Sequence, residues 1–162
     1  MKETENARIL VVDDEEGIRK SLKAVLEEEG FLVDTAENGQ EAIAKSKATS
    51  YNLALVDIRL PDMDGVELLT SMSQTAPKMI RIIVTGYPSL DNAINAVNRG
   101  ADGYVVKPFT MEQLLSTIKE HLRKQQEAEK YSEEKVKEYI ESRTKELATR
   151  TRGASLNEHR TS

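Results

Sequence analysis

Five side chains that could take part in chemistry come at the ends of apolar runs of the sequence. Asp13 and Asp14 follow the first run, Asp57 the third, Thr85 the fourth and Lys107 the fifth. If these runs are the strands of one parallel sheet, their carboxyl ends lie at the edge where such sheets bind ligands. The sequence therefore predicts a site with three carboxylates, one hydroxyl and one ammonium group.

The predicted site would have to offset the repulsion between its carboxylates. A like-charge pair ~4 Å apart costs about 4 kcal/mol at an effective dielectric constant of about 20. Raised pKa values, Lys107 or a divalent cation could compensate for this cost. Oxygen ligands on loops favour Mg²⁺, which retains several waters and is commonly completed by phosphate oxygens.

These groups together are the parts required for phosphoryl transfer onto a carboxylate nucleophile. Bound Mg²⁺ would bridge carboxylate and phosphoryl oxygens, while Lys107 and Thr85 would contact the remaining oxygens. The sequence contains neither G-x-x-x-x-G-K-[ST] nor G-x-G-x-x-G, so it shows no site for a nucleotide. The phosphoryl group is therefore expected to come from another molecule.

The elements that would position this site alternate along the chain. Each predicted strand is followed by a segment with helical spacing of apolar residues, and the strands are 9–12, 31–35, 53–56, 81–84 and 104–106. Such alternation is typical of a parallel sheet with helices on both faces. We predict a doubly wound α/β domain with a five-stranded sheet over residues 7–122.

The composition excludes several other classes of protein. The 162 residues include no Cys and two His, which argues against disulfides, thiolate chemistry and a His-based triad. A net charge of -5 without a basic stripe argues against nucleic acid as a direct partner. We expect a cytoplasmic protein without membrane contact, because no apolar run could span a bilayer and the N-terminus is too polar for a signal peptide. Both His121 and His159 are interpreted as surface residues.

The composition changes after residue 122. Residues 123–150 are rich in charge and contain neither Gly nor Pro, and acid-first pairs such as Glu146/Arg150 favour an exposed helix that extends the last helix of the domain. Val136, Ile140 and Leu147 belong to an interrupted apolar seam, which is not typical of a strong coiled coil. We predict disorder for residues 151–162. Dimerisation, docking on a partner and a linker role all stay open for the helix.

Four segments of the sequence together resemble the receiver domain of two-component response regulators. They are ILVVDDE at 9–15, LVDIRLPDMDG at 55–65, VTG at 84–86 and YVVKPF at 104–109. The resemblance rests on their order and spacing. It implies a flavodoxin-like (βα)5 fold and a phosphoryl group that comes from a phosphohistidine of a sensor histidine kinase.

The resemblance also implies a role for each residue around the acceptor. Asp57 would be the phospho-acceptor and a Mg²⁺ ligand, and Asp14 would bind the metal directly. Asp13 would hold a metal-bound water, and the backbone carbonyl of Arg59 would complete the protein ligands.

The same resemblance implies a switch on the neighbouring strands. Thr85 would move onto the phosphoryl group, and Tyr104 would swing inward as Thr85 vacates its space. Lys107 would pair with phosphoryl oxygens, and its bond to Pro108 would be cis. Positions 59 and 87, which are Arg59 and Tyr87 here, vary in this family and tune dephosphorylation.

We therefore expect a phospho-accepting signalling module that assists its own Mg²⁺-dependent phosphorylation and dephosphorylation, and not an enzyme with a separate substrate. The helix that starts near Pro88, the fifth strand and the last helix would bind a downstream protein or a second copy. No DNA-binding or enzymatic output domain is recognisable. A haloacid-dehalogenase-type phosphatase is one alternative, although Arg59 stands where that class has a second Asp. The other is a pseudo-receiver scaffold, against which the complete acid set and Lys107 argue.

Overall fold

The computed structural model describes residues 6–160, with only the backbone for 152–160. Strands and helices alternate along this part of the chain. In order they are β1 (Arg8–Val12), α1 (Glu16–Glu28), β2 (Leu32–Ala36), α2 (Gly39–Ala48), β3 (Leu53–Asp57), α3 (Gly65–Thr75), β4 (Ile80–Thr85), α4 (Leu90–Asn98), β5 (Gly103–Val106) and α5 (Met111–Arg160).

All five strands form one parallel sheet in the order β2-β1-β3-β4-β5. The chain therefore starts in the middle of the sheet and moves first to one side and then to the other. This order places the change of direction between β1 and β3, and the crevice at their carboxyl ends is where such sheets bind ligands. The predicted doubly wound, flavodoxin-like fold is confirmed.

The inner strands β1, β3 and β4 are buried on both faces, which explains why their sequences are largely apolar. Ile9 and Val11 of β1 pack into one core cluster with residues of α1 and α5 such as Leu26. Leu10 and Val12 pack into a second cluster with residues of α2, α3 and α4. Both clusters hold the strands rigidly, so the residues at the strand ends have fixed positions.

The chain divides into two compact units, with the boundary between Arg123 and Lys124. The first unit contains the sheet and both core clusters. The second consists, among described residues, of the later part of α5, where Val136, Ile140 and Leu147 are 57–59% exposed. The predicted pair Glu146/Arg150 is present, with 3.2 Å between Oε1 and Nη2.

The last helix extends beyond residue 150. In this structure α5 ends at Arg160, and residues 161–162 lie outside the described part. The disorder predicted for residues 151–162 stays a prediction. The polar composition on which that prediction rested does not itself stop a helix. Gly153, the single glycine of this stretch, costs only about 1 kcal/mol relative to alanine in a helix interior.

Within residues 6–160, no helix combines the length and hydropathy required to span a bilayer. The predicted cytoplasmic location stays a prediction.

Candidate functional site

The carboxyl ends of β1 and β3 bring the three predicted acids together. Asp13 and Asp14 follow β1, and Asp57 is the last residue of β3. One carboxylate oxygen from each of the three lies within 4.8 Å of the others. Asp13 and Asp57 are 4% and 8% exposed, whereas Asp14 is open to solvent. The cluster is therefore buried on one side and accessible from the other.

Lys107, which follows β5, lies against the two buried acids. Its Nζ donates to Asp13 Oδ2 at 3.1 Å and to Asp57 Oδ2 at 3.3 Å. Burial alone would lower the pKa of Lys107, but the charges of Asp13 and Asp57 outweigh it and raise that pKa. Lys107 therefore remains an ammonium group between two carboxylates. The Lys107–Pro108 bond is cis, as the resemblance implies.

The ionisation of Asp57 is affected by its surroundings. Burial raises its pKa, and the charge of Asp13 acts in the same direction. The backbone N–H of Arg59, which donates to Asp57 Oδ1 at 3.1 Å, and the charge of Lys107 lower the pKa in part. Raised values of this kind are frequent where a group takes part in chemistry.

The acid cluster fits a small hard cation. It offers three carboxylates of which Lys107 contacts two, so negative charge remains uncompensated when all three are ionised. Mg²⁺ prefers oxygen ligands such as these carboxylates. The exposed Asp14 leaves the cluster accessible from solvent. Asp13, Asp14 and Asp57 could therefore hold Mg²⁺ together with the predicted backbone carbonyl of Arg59.

The loop after β3 is packed closely against the acceptor strand. A Cβ added to Gly65 would lie 2.3 Å from the backbone oxygen of Asp57, so only glycine fits there. The N–H of Gly65 donates to the carbonyl of Ile58 at 2.7 Å. Asp64 accepts from the N–H of Val66 at 2.8 Å and caps α3. These contacts fix the backbone on both sides of Arg59.

The two predicted switch residues lie on β4 and β5. Thr85 is fully buried, and its Oγ1 accepts from the N–H of Tyr87 at 2.9 Å. Tyr104 packs against the second core cluster, and its hydroxyl is buried without a hydrogen-bond partner among the described residues. The ring of Tyr104 is therefore directed inward, and its predicted movement with Thr85 stays a prediction.

Several contacts around the site were not predicted. Nη1 of Arg19 on α1 donates to the backbone carbonyl of Asp13 at 2.7 Å. The guanidinium of Arg59 lies over the ring of Tyr87, 3.4 Å from its centroid. The sequence placed Arg59 and Tyr87 beside the acceptor and the switch, but their contact depends on two loop conformations that residue spacing does not specify.

His121, interpreted as a surface residue, is partly covered in the structure. The side chain is half-buried, and its ring nitrogens lie 2.9 Å from the carbonyl of Thr117 and 3.2 Å from that of Asp102. Gly103 allows this approach, because a Cβ there would lie 3.3 Å from the ring. The side chain of His159 lies outside the described residues.

Comparisons with known proteins agree with this geometry. The family model for the response regulator receiver domain matches residues 9–119. The chain is 38% identical over 124 residues to the transcriptional regulatory protein ResD of Bacillus subtilis, which covers 76% of this chain and 51% of ResD. It is 33% identical over 130 residues to TrcR of Mycobacterium tuberculosis, which covers 80% of this chain and 51% of TrcR. The chain thus spans about half the length of these relatives.

Solved structures show the same architecture. A CheY-like receiver domain protein from Methanospirillum hungatei aligns with a TM-score of 0.75 and 46% identity, covering 76% of this chain and 98% of that one. The beryllofluoride-activated NtrC4 receiver domain dimer aligns with a TM-score of 0.69 and 41% identity, covering 73% and 98%. Fold, site and sequence therefore agree, and the chain belongs to the receiver domain family of response regulators.

Proposed function

We propose that Asp57 accepts a phosphoryl group from the phosphohistidine of a sensor histidine kinase and that the chain converts this charge into a change of its binding surface. The observation that carries the proposal is the cluster of three carboxylates with Lys107 bridging Asp13 and Asp57. The family match supports the same chemistry. In contrast, the phosphatase alternative would require an acid where Arg59 stands.

The transfer exchanges one bond for another. A carboxylate oxygen of Asp57 attacks phosphorus, the N–P bond of the phosphohistidine breaks, and its electron pair stays on the imidazole, which then takes up a proton. Lys107 is already held beside the acceptor and neutralises charge on the arriving phosphoryl oxygens. In this proposal the chain is the acceptor and assists its own modification, and it is not an enzyme with a separate substrate.

Asp14, Asp57 and the carbonyl of Arg59 are the proposed direct Mg²⁺ ligands, and Asp13 is proposed to hold a metal-bound water. Mg²⁺, when bound, would offset the negative charge that carboxylate and phosphoryl oxygens bring to one place. The exposure of Asp14 leaves an entry path to the cluster.

The proposed response starts at Thr85. When its hydroxyl turns toward the phosphoryl group, the N–H of Tyr87 loses the acceptor that it has in this structure. Tyr104 on the adjacent strand already packs against the second core cluster. In this proposal its ring moves further inward, into the space that Thr85 leaves. A change at Thr85 and Tyr104 shifts the equilibrium between two conformations of the chain next to them.

The proposed binding surface includes α4 and β5. Leu90, Ile94 and Val97 of α4 are 51–76% exposed and Val106 of β5 is 42% exposed, although all four are apolar. Leu90, Ile94 and Val97 follow each other at helical spacing on α4, which is typical of a face that packs against a protein. A downstream protein is the proposed partner, and a second copy of the chain is the alternative.

Labelling with a small phosphodonor such as acetyl phosphate tests this function. Asp57→Asn should abolish incorporation of phosphate, because an amide cannot serve as the nucleophile. Asp91→Asn, on the exposed side of α4, is the matched control and should be labelled like the parent chain. Persistent labelling of the Asp57→Asn variant would contradict the choice of acceptor.

A further inference from the structure

The loop between β3 and α3 is attached to a helix that carries none of the site residues. Both carboxylate oxygens of Asp62 accept hydrogen bonds from the start of α2. Oδ1 accepts from the N–H of Gly39 at 2.8 Å, and Oδ2 accepts from the N–H of Gln40 at 2.9 Å. A carboxylate at this end of a helix is also favoured by the helix dipole. Asp62 therefore joins the acceptor loop to α2.

Asp62 and Asn38 accept hydrogen bonds from different N–H groups in the first turn of α2. The first turn of a helix has N–H groups without partners in the helix. Asn38, the residue before the helix, accepts from Glu41 at 2.8 Å, whereas Asp62 takes the two N–H groups that Asn38 does not reach. α2 thus has a cap from its own segment and a second one from the loop beside the acceptor.

Packing reinforces the contact between the loop and α2. A Cβ added to Gly39 would lie 2.4 Å from the sulfur of Met63, so the side chain next to Asp62 covers the first residue of the helix. At the other end of the loop, the N–H of Gly65 binds the carbonyl of Ile58. Arg59 lies between these two attachments, and its backbone N–H already contacts the carboxylate of Asp57.

We propose that Asp62 is a positioning residue for the phosphoryl-transfer site, because it holds the loop on α2 and so keeps the backbone of Arg59 in place beside Asp57. The inference rests on the proposed function, in which the carbonyl of Arg59 is a Mg²⁺ ligand. Asp62 itself touches neither the metal nor the phosphoryl group. It acts through the conformation of residues 58–64.

Two variants separate this role from helix capping alone. Asp62→Ala and Asn38→Ala each remove a cap from α2, but only Asp62 connects the helix with the acceptor loop. Both are compared with the parent full chain in two measurements. The first is the dependence of the acetyl phosphate labelling rate on Mg²⁺ concentration, and the second is the hydrogen exchange of the backbone amides of residues 58–64.

The expected result differs between the two variants. Asp62→Ala should raise the half-saturating Mg²⁺ concentration by up to about tenfold. Loss of a group bonded directly to a metal ligand costs about 10- to 100-fold, and Asp62 acts one step further from the metal. Its rate at saturating Mg²⁺ should approach that of the parent, and its loop amides should exchange faster. Asn38→Ala should leave both measurements close to the parent. Asp62→Asn, which keeps one acceptor oxygen, should lie between Asp62→Ala and the parent, and it provides a milder variant if Asp62→Ala does not fold.

The outcomes distinguish the inference from the function on which it rests. If the parent is labelled and the two alanine variants shift alike, or if Asp62→Ala does not shift, the positioning role of Asp62 is overturned. A parent chain that is not labelled contradicts the proposed function instead. In that case unchanged exchange of the loop amides in Asp62→Ala would still overturn the attachment of the loop through Asp62.

Discussion

The strand-end site and the later part of α5 use charged residues in opposite ways. At the site, Lys107 contacts Asp13 and Asp57, which are 94 and 50 residues away in the sequence, and the acids are nearly buried. In the later part of α5, Glu146 pairs with Arg143 and Arg150 on its own helix, and all three side chains are about half or more exposed. The nearly buried charges of the site destabilise the folded chain unless an opposite charge compensates for them. The exposed charges of α5 mainly stabilise the helix.

This difference predicts how strongly the removal of a charge affects labelling and stability in each region. Removing a charge from the site should change chemistry by orders of magnitude, because its partners stay buried without compensation. Removing a charge from the exposed helix should change only local stability. The predictions below compare the two regions in that order.

Among variants that keep the acceptor, Lys107→Met should cause the largest fall in labelling. The variant lacks the group that neutralises the phosphoryl oxygens, so the labelling rate by acetyl phosphate should fall about 10²- to 10³-fold. Lys119→Met is the matched control, because Lys119 pairs with Glu29 at 2.8 Å between α1 and α5 and contacts none of the acids of the site. A Lys107→Met chain that is labelled at the parental rate would show that the buried ammonium group has no role in the transfer.

Asp57→Asn should change how stability depends on pH. Burial raises the pKa of Asp57 above the ordinary value of 3.8, so the folded chain retains a proton that the unfolded chain has already released. In the parent, the free energy of unfolding therefore decreases as the pH rises above 3.8. The decrease ends once Asp57 is ionised in the folded chain as well. The Asp57→Asn variant has no carboxyl group at this position, so its free energy of unfolding lacks this decrease.

Urea unfolding across this pH range provides the measurement. The stability of Asp57→Asn relative to the parent should increase with pH and then level off. A difference that is independent of pH would mean that the site does not hold Asp57 against its ionisation.

Glu146→Gln should have the smallest effect. It removes the ion pairs with Arg143 and Arg150, and each exposed pair of this kind contributes about 0.2–0.5 kcal/mol to a helix. Circular dichroism should show a slight loss of helix at low salt and none at high salt, because salt screens exposed charges. The labelling rate should not change, and a change as large as that of Lys107→Met would remove the distinction between the two regions.

The sequence predicted the parts of the site that depend on strand ends. Asp57 and Thr85 each end a buried strand, Asp13 follows a buried strand, and Lys107 follows the edge strand β5. Correct strands were therefore sufficient to bring them together. The attachment of Asp62 to α2 was not predicted, because it depends on the path of a loop that apolar periodicity does not describe.

Two features near the end of the chain depend on more than local sequence. His121 lies on a helix face that is half-covered by the chain before β5, and nothing in its local spacing shows that contact. Polar composition alone cannot distinguish an exposed helix from a disordered tail, so the sequence did not specify that α5 extends to Arg160 in this structure.

The most direct test of the account maps the phosphoryl group on the parent chain. After treatment with acetyl phosphate, borohydride reduction converts an acyl phosphate of aspartate to homoserine, which peptide mass spectrometry can locate. We expect modification at Asp57 in the presence of Mg²⁺ and none after chelation. Modification of a different residue, or equal modification of Asp57 without a divalent cation, would show that Asp57 is not a Mg²⁺-dependent phospho-acceptor.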